Sequence, residues 1–152
     1  MKTMQTAKFW DKIAKKYAKQ PIADEAAYQK KLAVTRDYFR PDMEVLEFGC
    51  GTGSTAILHA SYVKHIRAID FSANMIAIAQ GKAEAEHIAN VTFEQASIEA
   101  LDMPDQSLGA VLALSILHMM RDRSAEIARV YQMLKPGGII VTCTACIGDT
   151  MS

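Results

Sequence analysis

Three glycines at alternate positions, Gly49, Gly51 and Gly53, follow the strand-like residues 45–48 and precede a helix-compatible segment. A strand, a glycine turn and a helix in this order let the backbone of an α/β protein approach a nucleotide-like ligand closely. A Cβ at these positions would block the ligand and disfavour a positive φ. The alternative is a tight turn without a ligand. We favour ligand binding, because three glycines in five residues cost backbone entropy without an evident packing return.

The glycine spacing differs from that of a dinucleotide-binding loop. In the pattern G-x-G-x-x-G/A the sixth position would be glycine or alanine, but Ser54 stands there and Gly53 comes one place early. An acidic residue, Glu47, stands two places before the first glycine. These two departures disfavour a nicotinamide dinucleotide as the ligand.

A second acidic residue, Asp70, ends the second predicted strand, 21 residues after Gly49. In a nucleotide-binding βαβ unit, a carboxylate at this place accepts hydrogen bonds from ribose hydroxyls. The alternative role is to cap the following helix, for which Ser72 is better placed. We therefore favour a ribose contact for Asp70, although this acid alone suits NAD equally well.

Strands and helices alternate after Met43, which predicts an α/β fold. Apolar strands that are nearly continuous suit a parallel sheet buried on both faces, and right-handed crossovers then give a doubly wound sheet. Its ligand crevice is expected at the carboxyl ends of the strands. Ser72 and Ser124 are predicted helix N-caps. The predicted strands are 44–48, 65–69, 91–95, 110–114 and 139–144; the predicted helices are 6–19, 24–39, 54–61, 74–87 and 124–134, with a poorer segment near Glu99 and a turn at 135–138.

Composition limits the kinds of partner that this chain is expected to bind. It has 152 residues, enough for one domain, with 17 basic and 17 acidic residues and a formal net charge of zero. We therefore expect no nucleic-acid partner, and the longest apolar stretch, 108–120, is too short to span a membrane. Three cysteines form no disulfide framework, which favours reduced thiols and a cytoplasmic location. No metal-ligand spacing is present.

Five motifs in register resemble class I S-adenosylmethionine-dependent methyltransferases. Their spacing matches the family over residues 9–144, and the small-molecule branch related to quinone-biosynthesis methyltransferases is the most similar. The opening F-W-D-K-I-A-x-x-Y of residues 9–17 also resembles that branch. The motifs are E-F-G-C-G-T-G at 47–53, the segments 68–75 and 91–101, the pair 105–111 and 115–118, and L-K-P-G-G at 134–138.

The resemblance implies a single domain over 1–152, with helices in 1–40 covering the pocket of a Rossmann-like core in 41–152. The implied parallel sheet has strand order 3-2-1-4-5 and helices on both faces. The implied function is methyl transfer from S-adenosylmethionine to an unidentified small molecule, with S-adenosylhomocysteine as the product. The alternative is a non-catalytic or incomplete module that binds this cofactor.

The resemblance also implies roles for individual residues. The three glycines surround the methionine portion, Glu47 orients the loop and favours the ammonium group, and Asp70 binds the ribose. In the implied arrangement Phe71 and Met75 flank the adenine, and Ser97 and Ile98 contact its edge. Ser115 lies behind the methionine end, and Tyr17 closes the pocket. The implied cofactor-binding set is Tyr17, Glu47, Gly49, Cys50, Gly51, Gly53, Asp70, Phe71, Met75, Ser97, Ile98 and Ser115.

Two positions depart from the family pattern. Ser97 stands where an aspartate usually accepts the adenine amino group, which predicts a weaker adenine contact. Gly109 stands where aspartate is common before the fourth strand, and a bend without functional meaning is the alternative there.

His118 follows the fourth predicted strand at the mouth of the expected crevice. It can serve as a base if the methyl acceptor has a proton to lose, whereas helix capping or packing is the more common role of a histidine. We interpret His59, His65 and His87 as surface or packing residues.

The family normally adds an antiparallel hairpin beside the fifth strand, and this chain stops at Ser152. The strand 139–144 is therefore expected to be an uncovered apolar edge, which invites pairing. We infer either a truncated chain or a partner at this edge, such as a second copy in a homodimer.

Overall fold

The computed structural model describes residues 25–98, 100–113 and 123–142. The predicted helix at 6–19 and Glu99 lie outside these residues. The elements in chain order are α1 (Glu25–Arg36), β1 (Glu44–Phe48), α2 (Ser54–His59), a short 3-10 helix (Ala60–Tyr62), β2 (His65–Asp70), α3 (Ala73–Ala85), β3 (Val91–Gln95), β4 (Leu108–Ala113), α4 (Arg123–Met133) and β5 (Leu134–Thr142).

The five strands form one parallel sheet with the order β3-β2-β1-β4-β5. The predicted doubly wound topology is confirmed. Every residue of β4 is buried, as expected for a parallel strand covered on both faces. The strand order reverses between β1 and β4, so the chain's glycine turn leaves the sheet beside this switch point.

Successive side chains of a strand point to opposite faces of the sheet, and β1 supplies a core on each side. Val45 packs with Ala56 of α2 and Ala79 of α3, in what we call the α3-side core. Leu46 packs with Met133 of α4 in the α4-side core. The sheet thus separates two apolar layers, and both must be filled for it to be stable.

The predicted bounds of β1 and β3 are confirmed. Of the two predicted helix N-caps, one is confirmed and one is wrong. Ser72 precedes α3, and its Oγ accepts a hydrogen bond from the Met75 amide at 3.2 Å. Arg123, the first residue of α4 that the structure describes, is already helical, so Ser124 lies within the helix and the predicted N-cap there is wrong. Neither residue type nor spacing distinguishes a cap serine from one inside a helix near its start.

The predicted turn at residues 135–138 lies within β5. The pairing of Leu108 with Leu134 is followed by that of Ala110 with Ile139, so extra residues of β5 bulge out between them. Gly137 has a φ of 81°, which favours glycine in such a bulge. Beyond the bulge, Ile139 packs against the α3-side core and Ile140 against the α4-side core.

Gly109 lies inside β4 and has a packing role. A Cβ built on it would lie 2.5 Å from Cγ of Met43, which is buried in the α3-side core. Glycine at this position therefore has a structural reason, because it leaves room for the Met43 side chain. This replaces the alternative of a bend without functional meaning.

Among the described helices, none is long and apolar enough to cross a lipid bilayer.

Candidate functional site

The loop between β1 and α2 has a backbone that favours glycine at three positions. The φ angles of Gly49, Gly51 and Gly53 are 70°, 57° and 82°, all in the left-handed region. The amide of Cys50 donates to the Ile69 carbonyl at 3.0 Å, which holds the loop against the end of β2. The loop therefore presents its backbone at the carboxyl edge of the sheet.

The third glycine has a packing reason that the sequence argument did not recognise. A Cβ on Gly53 would lie 2.7 Å from Cζ of Phe93 and 2.9 Å from Cβ of Ala79. Any side chain at position 53 would therefore collide with α3 and β3, and glycine lets the start of α2 approach both closely. The expectation that the glycines contribute nothing to packing is therefore wrong for Gly53. Its contact with a methionine portion stays a prediction.

A cleft opens where β1, β2 and β3 end. Its position agrees with the general rule that ligands of such sheets bind outside the carboxyl ends of the strands. The cleft is lined by Phe48, Gly49, Ile69, Asp70, Phe71, Ala96, Ser97 and Ile98. Five of these were predicted as site residues, whereas Phe48, Ile69 and Ala96 were missed. Each missed residue is adjacent in sequence to a predicted one, and that adjacency was the available signal.

Asp70 is buried and ties the glycine loop to the start of α3. Its Oδ2 accepts a hydrogen bond from the Gly51 amide at 2.9 Å, and its Oδ1 accepts one from the Ser72 amide at 3.0 Å. The sequence placed Asp70 near a ribose and left the cap to Ser72. The structure confirms the cap and adds an organising role for the carboxylate, while the ribose contact stays a prediction.

Glu47 carries a buried carboxyl group beneath the glycine loop. It is 4% exposed and lies on the same sheet face as Val45, and its Oε1 has no hydrogen-bond partner among the residues that the structure describes. Burial, with a smaller contribution from Asp70, raises the pKa of Glu47 to about 8. A buried oxygen without a donor is costly, so this site suits a ligand that brings a cationic donor.

Cys50 holds a thiol that is poorly suited to nucleophilic chemistry. It is buried, and its Sγ lies 3.7 Å from the Gly51 carbonyl. Burial, then the nearby Glu47 and Asp70 carboxyls, raise the pKa of the thiol well above its usual range. Because the thiolate is the reactive form, Cys50 serves the loop as a small packed side chain.

The residues predicted to flank the adenine lie in different places. Phe71 lines the cleft, and its carbonyl accepts a hydrogen bond from Nε2 of Gln95 at 2.9 Å. Met75 is 2% exposed and does not line the cleft. Ser97 and Ile98 both line it, at the turn that follows β3. Contacts of these four residues with an adenine remain predictions.

Three predicted site residues, Tyr17, Ser115 and His118, lie outside the described residues. Among the described histidines, His59 is buried against Phe39, with ring centroids 5.0 Å apart. Burial, then Arg36, lower the pKa of His59 to about 4, so its ring is neutral at physiological pH. His65 hydrogen-bonds Thr92, and His87 is exposed, which confirms the surface or packing interpretation of all three histidines.

No group of three acidic, histidine or cysteine side chains able to hold a metal ion occurs in the ranges that the structure covers.

A family model described as a methyltransferase domain matches residues 45–138, from β1 into the bulge of β5. This chain belongs to that methyltransferase family. The methyltransferase YcgJ of Bacillus subtilis is 29% identical over 99 residues, which are 65% of this chain and 39% of that protein. Its crystal structure superimposes with a TM-score of 0.71 and 26% identity, over 75% of this chain and 50% of that one.

Other relatives of this methyltransferase domain differ in the substrates that their names state. The demethylmenaquinone methyltransferase of Symbiobacterium thermophilum is 24% identical over 95% of this chain and 60% of that protein. The structure of phosphoethanolamine N-methyltransferase 2 from Haemonchus contortus, in complex with S-adenosyl-L-methionine, matches with a TM-score of 0.69 and 26% identity, over 76% of this chain and 27% of that one. This chain thus spans 60% or less of the length of these relatives.

The residues of the site fit S-adenosylmethionine. Its ammonium group would supply the cationic donor that Oε1 of Glu47 lacks among the described residues, and Gly49 leaves the wall of the cleft without a Cβ at the start of the loop. Glu47, Gly51 and Gly53 do not themselves line the cleft. The predicted class I fold and cofactor class are therefore confirmed at the level of the family.

Proposed function

We propose that this chain binds S-adenosylmethionine in the cleft at the ends of β1, β2 and β3 and serves in methyl transfer to a small-molecule acceptor. The observation that carries the proposal is the buried Oε1 of Glu47, which stands two residues before the glycine loop and has no hydrogen-bond partner within the described part of the chain. The names of two relatives, which act on demethylmenaquinone and phosphoethanolamine, support a small acceptor. The balanced charge of the chain offers no general attraction for nucleic acid.

Each part of the cofactor has a proposed contact. The ammonium group lies against Glu47, the ribose against Asp70, and the adenine between Phe71 and the turn of Ser97 and Ile98. Because Ser97 offers a neutral hydroxyl where the family has a carboxylate, the adenine contact is weaker than in relatives. Burial of most of these groups keeps water from competing for them.

The cofactor, when bound, would supply a methyl group activated by its sulfonium sulfur, with the neutral thioether S-adenosylhomocysteine as the leaving group. The protein then contributes proximity and orientation, and its glycine loop fixes the end of the cofactor nearest the sulfur. A base is needed only where the acceptor carries a proton, and His118 is the candidate for it.

The test is calorimetric titration of the chain with S-adenosylhomocysteine. We expect micromolar binding with one site per chain, and adenosine, which lacks the amino-acid portion, should bind more weakly. Folded protein that shows no heat and no thermal stabilisation would overturn the proposal. Binding without methyl transfer to any candidate acceptor would favour the cofactor-binding module instead.

Replacing His118 by glutamine tests its role as a base. We expect the rate of methyl transfer to fall about 100-fold, the usual contribution of a positioned base, while affinity for S-adenosylhomocysteine stays unchanged. The exposed His87→Gln is the matched control. Equal turnover of wild type and His118→Gln would end the base hypothesis.

A further inference from the structure

Lys82 extends from α3 to the far half of the glycine loop. Its Nζ donates to Oγ of Ser54 at 2.7 Å and to Oγ1 of Thr52 at 3.3 Å. Thr52 is itself buried, and Ser54 is the first residue of α2. One ammonium group therefore joins the end of the loop and the start of α2 to Lys82, which lies 30 positions after Thr52 and 28 after Ser54.

Two side chains tether the loop, one at each half. Asp70 accepts from the amide of Gly51 and fixes the first half to β2. No side chain caps the start of α2, because Gly53 occupies its N-cap position. The hydroxyls of Thr52 and Ser54 are instead fixed by Lys82. A loop with three left-handed glycines loses much conformational entropy when it orders, so each tether lowers the cost of presenting it to a ligand.

The contact of Lys82 with the loop has costs for stability, which Glu86 offsets only in part. Both acceptors are neutral hydroxyls, and burial lowers the pKa of the ammonium group. The last turn of α3 favours a cation such as Lys82, but its contact with Ser54 also brings the ammonium group to the positive end of α2. A solvated lysine on the outer face of α3 would avoid both costs, which indicates that the contact serves the loop.

We propose that Lys82 is a positioning residue for cofactor binding, which acts by holding Thr52 and Ser54 so that the glycine loop is ordered before the ligand arrives. The inference rests on the proposed function of the cleft. Lys82 does not line the cleft, so its effect on affinity passes through the loop.

The experiment compares Lys82→Met, Lys82→Arg and Gln80→Ala. Gln80 is the matched control, because it also ties α3 to the rest of the protein, through Nε2 to the Phe93 carbonyl at 3.1 Å, without touching the loop. We expect Lys82→Met to weaken binding of S-adenosylhomocysteine about tenfold, whereas Lys82→Arg retains affinity within about threefold and Gln80→Ala matches wild type.

Hydrogen exchange without ligand gives the second readout. Amides of residues 49–54 should exchange faster in Lys82→Met than in Gln80→Ala. If Lys82→Met does not fold, Ser54→Ala removes the nearer acceptor and should give the same two changes. Unchanged affinity, or equal weakening by Gln80→Ala, would overturn the role of Lys82. If wild type itself binds no S-adenosylhomocysteine, the proposed function fails. The tether is tested separately, and it is overturned if residues 49–54 exchange at the same rate in Lys82→Met as in Gln80→Ala.

Discussion

Replacing Asp70 by alanine is expected to weaken binding of S-adenosylhomocysteine by a factor on the order of 100 or more. The change removes the acceptor of the Gly51 amide and of the Ser72 amide together, and it removes the proposed ribose contact. Hydrogen bonds to a charged group contribute roughly 1.5–3 kcal/mol each, and about 1.4 kcal/mol corresponds to a factor of ten. Calorimetric titration of the variant beside wild type measures the loss.

Glu94→Ala is the matched control for Asp70→Ala. Glu94 is also an acidic strand residue, but its side chain pairs with Arg67 on β2 and does not line the cleft. We expect its affinity to equal that of wild type. Thermal melts of both variants separate lost binding from lost folding. An Asp70→Ala protein that is folded and binds as tightly as wild type would refute both the tether and the ribose contact.

Replacing Glu47 by glutamine is expected to stabilise the free protein at alkaline pH. The folded-state pKa of about 8 lies above the ordinary value of 4.5, so between these values the folded protein holds a proton that the unfolded chain has lost. Stability from this group is fully present below about pH 4.5 and is lost as pH rises through 8. Glutamine does not titrate, so the variant does not lose this stability as the pH rises.

Urea denaturation of wild type and Glu47→Gln at pH 5, 7 and 9 measures this difference. The free energy of unfolding of the variant should exceed that of wild type by a few kcal/mol at pH 9, and the gap should narrow towards pH 5. The other titrating groups are common to both proteins and cancel in the comparison. A gap that does not change with pH would contradict the prediction. The variant should also bind S-adenosylhomocysteine more weakly, since glutamine cannot release a proton to pair with the ammonium group.

The sequence predicted best what depends on local pattern. The apolar runs around β1 and β4 placed the sheet, and the glycine spacing with Glu47 and Asp70 placed the cleft at its edge. These signals are short range, because strand burial and turn chemistry are encoded by neighbouring residues. The N-cap predicted at Ser124 was wrong because a serine serves equally well as a cap or inside a helix near its start.

Contacts between distant segments could not be predicted in this way. Nothing in the sequence around Gly53 indicates that Phe93 and Ala79 leave no space for a Cβ. Nor does the spacing of Lys82 reveal that its ammonium group meets Ser54, because the angle between α3 and α2 decides that contact. Asp70 was assigned a ligand contact, while its bonds to two backbone amides needed the assembled sheet.

The apolar lining of the cleft belongs to one side of the sheet, the α4-side core, and the glycine loop beside the cleft is anchored in the other. The glycine loop belongs to the α3-side core through Cys50, whereas Ile69 and Ile98 belong to the α4-side core, with Phe71 packed against it. Two apolar layers separated by a sheet can open as separate cooperative units. A ligand that contacts both would couple their unfolding, so the bound protein should melt as one unit even where the free protein opens one layer at a time.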